Sequence, residues 1–203
     1  MIRKAAEERV HFHEPDASRR VALAVLRCFR SVFSLQSLVV LCIGTDRSTG
    51  DALGPLVGTN LARADLPMTT VLGTLDDPVH AGNLVDVIRA VESSPARPFV
   101  VAVDACLGRS DQVGSILVGA GPLRPGAGVH KSLPLVGNAF VTGTVNVGGF
   151  MEYLVLQNTR LSVVMKMAEV ISNGLVVAIL NATSQPSFTT VTGVPPGPPP
   201  SSP

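Results

Sequence analysis

Two continuous apolar runs, Ser37 to Ile43 (SLVVLCI) and Phe99 to Val103 (FVVAV), constrain this chain more than any other feature. Both are too short for an ordinary helix, are rich in β-branched side chains, and lack the alternation of a strand with one wet face. They read as strands buried on both faces, as in a parallel sheet covered by helices. The sequence between them supplies the helices. Leu53 to Ala64 reads as one helix and Thr69 to Leu75 (TTVLGTL) as a further strand. A second helix starts from Asp76-Asp77-Pro78, carries Leu84, Val87, Ile88 and Val91 at spacings of three and four, and is ended by Pro95 and Pro98. Strand, helix, strand, helix, strand predicts an α/β fold: a doubly wound, mostly parallel twisted sheet with helices on both faces, in three layers.

Outside this unit, residues 1–14 read as a polar arm, and Pro15-Asp16-Ala17-Ser18 as the start of a helix running to about Phe33. The second half predicts a shorter strand at Val113 to Val118, a loop at Pro122 to Gly128 (PLRPGAG) and a strand at Val141 to Val147 (VTGTVNV). Gly148-Gly149 then leads into helical sequence, where Leu161, Val164, Met165, Ala168, Ile171 and Leu175 form a stripe that closes the domain. From Ser184 the chain is rich in Ser, Thr, Pro and Gly and too poor in apolar residues to repay its ordering entropy, so 184–203 reads as a disordered tail. A single domain over 15–183 is large enough to bury a core without disulfides.

Composition narrows the partners. With 16 basic and 15 acidic residues, one tyrosine and no tryptophan, the chain has neither the field nor the stacking platforms of a nucleic-acid binder. No uninterrupted apolar stretch of about 20 residues is present; the nearest candidate, Val21 to Val40, is broken by Arg27 and Arg30, so no membrane span is expected. Three widely spaced cysteines, Cys28, Cys42 and Cys106, fit neither a disulfide framework nor a zinc knuckle and point to a reducing cytoplasm. The charged residues Arg3, Lys4, Glu7, Glu8 and Arg9 stand where a signal peptide needs an apolar core.

In open parallel sheets the ligand crevice lies outside the carboxyl ends of the strands. Three loops qualify: Gly44 to Pro55, Leu75 to Gly82, and Asp104 to Asp111. The first, GTDRSTGDALGP, combines Asp46, Arg47 and Asp51 with glycines at 44, 50 and 54, which let the backbone turn sharply and approach a ligand. It matches neither G-x-x-x-x-G-K-[ST] nor G-x-G-x-x-G, so phosphate binding has little support. Asp51 and Asp104, each expected at the end of a buried strand, form a candidate hydrolytic pair. Neighbouring carboxyls share a proton because both cannot ionise cheaply, and the charged member can deprotonate a water. The competing reading has Asp51 capping the next helix and Asp104 bonding a turn.

Other candidates are accessory. His80, beside a helix start, can orient substrate or move a proton, and Asp76 and Asp77 are expected to cap that helix. Lys131, next to His130 after the glycine-rich loop, can hold a substrate carboxylate or carbonyl. Asn146 is expected in the crevice wall, whereas Glu152, Asn158 and Arg160 are expected to pin the last helix. Cys106 has no histidine placed to activate it and is read as a small buried hydrophobe.

The segments CIGTDRSTGDALGP, GTLDDPVHAGNL, VDACLG, GPLRPGAGVHKSLP, VTGTVNVGGFMEYLVLQNTRL and VMKMA resemble, in order, the YyaC-type sporulation proteins (DUF1256-like), a family described as spore proteases. The resemblance runs from about Val10 to about Ile179 and extends, more distantly, to the spore germination proteases and the hydrogenase maturation endopeptidases. It implies a hydrogenase maturation protease-like three-layer fold. Motifs like GDALGP and VDA carry the paired catalytic aspartates of the germination proteases, which implies that role for Asp51 and Asp104. The hydrogenase enzymes use acidic residues with a histidine to recognise nickel, which implies Asp51, Asp104 and His80 as the alternative divalent-metal set. The implied protein is an endopeptidase needing no cofactor, acting on protein or peptide substrates such as small spore proteins in the forespore or spore interior. Its implied alternative is a non-catalytic metal- or peptide-binding protein on the same fold.

Overall fold

A computed structural model describes residues 7–30, 37–126 and 133–184. The elements are β1 (Glu8–His11), α1 (Ala17–Phe29), β2 (Leu38–Cys42), α2 (Leu53–Ala62), β3 (Thr69–Leu72), α3 (Leu84–Glu92), β4 (Phe99–Gly108), β5 (Ser115–Ala120), β6 (Ala139–Val147), α4 (Glu152–Gln157) and α5 (Leu161–Thr183). The six strands form one sheet in the order β1-β5-β6-β4-β2-β3. Strands β3, β2, β4 and β6 pair in parallel, while β5 is antiparallel to both β6 and β1. The sheet is therefore mostly parallel, as the run of strands and helices predicts.

The unbroken apolarity of β2 has a direct cause, since all five of its residues are buried and successive side chains serve opposite layers. Leu38, Val40 and Cys42 join Val101 and Val103 of β4 in a core beneath α1, α2 and α5. Val39 and Leu41 point the other way, with Val100 and Ala102, onto Leu84 and Ile88 of α3. Among the described residues, three helices thus cover much of one face and α3 a smaller part of the other. That asymmetry leaves room beside α3 for a cleft.

Helix α5 is long and apolar enough to cross a membrane, and half of its most apolar window is buried. Val164, Met167, Ala168, Ile171 and Leu175 bury its inner stripe in the large core. The sequence motif that closes the domain is therefore also its longest apolar helix.

Several boundaries differ from expectation. The polar arm at 1–14 contributes a strand, because Glu8–His11 pairs with β5 and buries Val10 completely. Its charge is absorbed by α1, where Arg20 bonds Glu8 and Glu14 and Arg27 bonds Glu8. A four-residue edge strand with one inward side chain has too little pattern to stand out in a sequence. Strand β4 does not end at Asp104 but continues to Gly108, because β6 offers a parallel partner through Val147, with a bulge between Cys106 and Leu107. Helix α3 begins at Leu84, so Asp76 and Asp77 do not cap it; Thr74 and Asp77 instead close a turn. The tail expected beyond Ser184 lies outside the described residues.

Candidate active site

A cleft of about 1150 Å³ opens at the carboxyl ends of β2 and β3 and beside the distal part of β4. Its walls are the loop after β2, the loop between β3 and α3, the residues of β4 from Asp104 on, and the segment from Gly149 to Leu156. Both aspartates line it.

Asp104 occupies a register position in β4 opposite Thr142 of β6. It falls on the same face of the strand as Val100 and Ala102, so it continues the α3-side core to the point where that core opens into the cleft. Only 9% of the residue is exposed. Burial pushes its pKa up to about 7, and the charge of Asp51 pushes in the same direction. Two amides work against this: Ala105 N donates to Asp104 Oδ1 at 2.9 Å and Gly126 N to Oδ2 at 3.4 Å. Desolvation outweighs both donors, so the carboxyl keeps its proton to far higher pH than an ordinary aspartate.

Asp51 reaches the cleft from the loop between β2 and α2, nine residues after Cys42 and two before Leu53, rather than from a strand end. Burial raises its pKa as well, and the nearby Ser48 hydroxyl lowers it in part. That hydroxyl is itself buried, and its present geometry completes no hydrogen bond. The reading of Asp51 as a helix cap does not hold, since α2 has Ala52 at its N-cap and no side-chain capping bond.

Two of the loop's glycines, Gly44 and Gly54, admit neighbouring protein backbone. Gly44 has φ +146°, and a Cβ there would lie 2.0 Å from Asp51 O; a Cβ on Gly54 would lie 2.0 Å from Ile43 O. The loop therefore folds back onto the end of β2, with Thr45 N donating to Asp51 O at 3.2 Å. Its far side is tied to α4 by Gly50 N donating to Leu156 O at 2.9 Å.

His80 lines the cleft and follows Val79, which bridges to Ile43 at the end of β2. Its Nδ1 accepts from Gly82 N at 3.1 Å, and its own N–H donates to Asn83 Oδ1 at 2.8 Å. One ring nitrogen is thus used to shape the loop, and Nε2 is left to face other partners. Asp46 and Arg47 are exposed cleft residues. Lys131, with His130, lies outside the described residues.

Asn146 is a correction: it is absent from the cleft lining and instead fastens α4, its Nδ2 donating to Val155 O at 3.3 Å and Thr159 Oγ1 at 3.2 Å. Glu152 lines the cleft, and its Oε1 accepts from Gly149 N at 3.2 Å, holding the turn before α4 rather than the last helix. Cys106 also lines the cleft, with its thiol against Thr144 Oγ1 and its pKa raised chiefly by burial, which is the condition of an inert thiol. Among the described residues no three His, Cys, Asp or Glu side chains come together as a metal site. Asp51, Asp104 and His80 as placed therefore do not fit the metal set that the resemblance implies.

Sequence reasoning missed the cleft's apolar wall of Phe150, Met151, Tyr153 and Leu154. The signal was the density of apolar residues in GFMEYL directly after two glycines, which reads equally well as the inner face of a helix. It also missed the Gly126 amide, whose partner is 22 residues distant in sequence.

The family model described as "Protein of unknown function (DUF1256)" matches residues 9–174. A Bacillus subtilis (strain 168) protein described as "Uncharacterized protein YyaC" is 60% identical over 138 residues, which is 68% of this chain and 67% of that protein. Among solved structures, the [NiFe] hydrogenase maturation protease HycI from Thermococcus kodakarensis KOD1 aligns with a TM-score of 0.48 and 18% identity, over 75% of this chain and 98% of that one.

Proposed function

The chain belongs to the DUF1256 family, and we propose that it is an endopeptidase in which Asp51 and Asp104 divide the base and acid roles. The observation that carries this reading is the unequal environment of two carboxyls in one cleft. Asp104 is almost wholly buried with a pKa near 7, whereas Asp51 is less buried and has the Ser48 hydroxyl favouring its charged form. Titratable pairs whose surroundings push them apart in this way supply an acid and a base at one pH.

In the proposed reaction the Asp51 carboxylate takes a proton from water as its oxygen attacks the scissile carbonyl carbon. Asp104 in its protonated form donates to the carbonyl oxygen, which carries the developing charge. The C–N bond then breaks as the leaving nitrogen takes the proton that Asp51 accepted from water, the carbonyl re-forms and returns its proton to Asp104, and the products are a carboxylic acid and an amine. His80 borders the same cleft and is the proposed substrate-orienting group, with Arg47 and Asp46 at the exposed rim. The sequence resemblance supports the forespore cytoplasm as the setting and small spore proteins as substrates.

The test is mass spectrometry of small spore proteins incubated with the purified protein. Asp51→Asn and Asp104→Asn should each abolish cleavage while leaving the fold intact, and the wild-type rate should decline as pH rises through about 7 because Asp104 then loses its proton. Full activity in Asp104→Asn would overturn the assignment.

A further inference from the structure

One wall of the cleft, the segment from Phe150 to Leu154, is largely apolar and uncovered. Phe150 is 80% exposed, Tyr153 60% and Met151 55%, with Leu154 beside them. Single exposed apolar residues are ordinary, but four within five positions, all lining one concave site, form a patch that marks an interaction surface. The backbone is held to present it. Met151 stands at φ +48° immediately before α4, a left-handed conformation that costs a non-glycine residue about 1 kcal/mol or more. It persists because Glu152 Oε1 grips Gly149 N, Asn146 fastens Val155 and Thr159, and Leu156 is anchored to Gly50.

Charge limits what can lie against this wall. The described lining carries four carboxylates, Asp46, Asp51, Asp104 and Glu152, against one arginine, Arg47. Even with Asp104 protonated, three carboxylates stand against one arginine and the balance stays negative. Glu152 is in the apolar wall itself, between Met151 and Tyr153. The cleft volume also exceeds the roughly 300–1,000 Å³ of ordinary small-molecule sites.

We propose that this cleft binds an extended peptide segment in which a bulky apolar side chain is flanked by basic residues. The apolar side chain seats against Phe150 and Tyr153, and the basic neighbour meets Glu152. This rests on the peptidase reading and deepens it by naming its substrate class, since the anchor's wall lines the same cleft as Asp51 and Asp104. The docking itself does not require cleavage.

The experiment uses the full chain with Asp104→Asn, so that bound peptide is not consumed, and fluorescence anisotropy with three fluorescein-labelled octapeptides. One has Phe-Leu at its centre flanked by lysines, one replaces the centre by Ala-Ala, and one replaces the lysines by glutamates. The first should bind about tenfold or more tighter than the Ala-Ala peptide, which is the effect of burying one large apolar side chain, and several-fold or more tighter than the glutamate-flanked peptide, whose charge matches that of the lining carboxylates. Adding Phe150→Ser or Tyr153→Ser should remove about that factor for the first peptide, with thermal melts confirming that these exposed substitutions leave the fold intact. Adding Glu152→Gln should narrow the lysine-over-glutamate preference and leave the Phe-Leu preference in place. Equal binding of all three peptides, or unchanged binding by the Phe150 and Tyr153 variants, would overturn the proposal. Wild-type protein separates the two readings: tight binding of the first peptide without cleavage removes the peptidase and keeps the docking site. Cleavage without preference among the three does the reverse.

Discussion

Replacing Asp104 by Asn should stabilise the protein at alkaline pH and give none of that benefit in acid. In the folded chain burial holds the Asp104 carboxyl at a pKa of about 7, against an ordinary value of 3.8. The folded state therefore holds this proton more tightly than the unfolded state does, and stability is lost as pH rises from the unfolded value through the folded one. A displacement of roughly 3 pH units corresponds to about 4 kcal/mol, fully present as a penalty only above pH 7. Asn carries no charge, so the variant escapes that penalty. It also loses the acceptor for Gly126 N, a long contact at 3.4 Å whose loss costs about 1 kcal/mol at every pH. Because that cost does not depend on pH, the difference between two pH values isolates the titration. Urea unfolding of both proteins at pH 4 and pH 8 should show the stability of Asp104→Asn relative to wild type rising by about 3–4 kcal/mol across the interval. A flat difference would refute the reasoning, because it would mean that the carboxyl ionises in the folded protein as easily as in the unfolded chain. The acid role proposed for Asp104 would fall with it.

Two further substitutions test how the site is held. Gly44→Ala places a Cβ 2.0 Å from Asp51 O at a φ of +146°, so it should destabilise the fold by about 2 kcal/mol or more and displace the Asp51 loop; a thermal melt within a degree of wild type would count against the backbone contact. Asn146→Ala removes both side-chain bonds from Asn146 to Val155 and Thr159, with an expected loss of about 1–3 kcal/mol and faster amide exchange through α4, read by hydrogen exchange; exchange unchanged in α4 would contradict its fastening role.

The sheet was legible in the sequence because a parallel strand buried on both faces needs an unbroken apolar run, and SLVVLCI and FVVAV satisfy that need wherever the rest of the chain goes. The same local chemistry made α5 and the carboxylates of the two loops visible. Three things depended on contacts distant in sequence. The strand at Glu8–His11 exists because β5 pairs with it and Arg20 and Arg27 neutralise Glu8. Asp104 lies inside a strand rather than at its end because β6 extends the ladder past it. Asn146 turned out to fasten α4, and Gly44 and Gly54 of the Asp51 loop turned out to admit neighbouring backbone. Residue types and local pattern determined which groups were available for chemistry. Their burial, and so how far each carboxyl is pushed toward its protonated form, was decided only by tertiary packing, because desolvation depends on everything that surrounds a group and not on its neighbours in the chain.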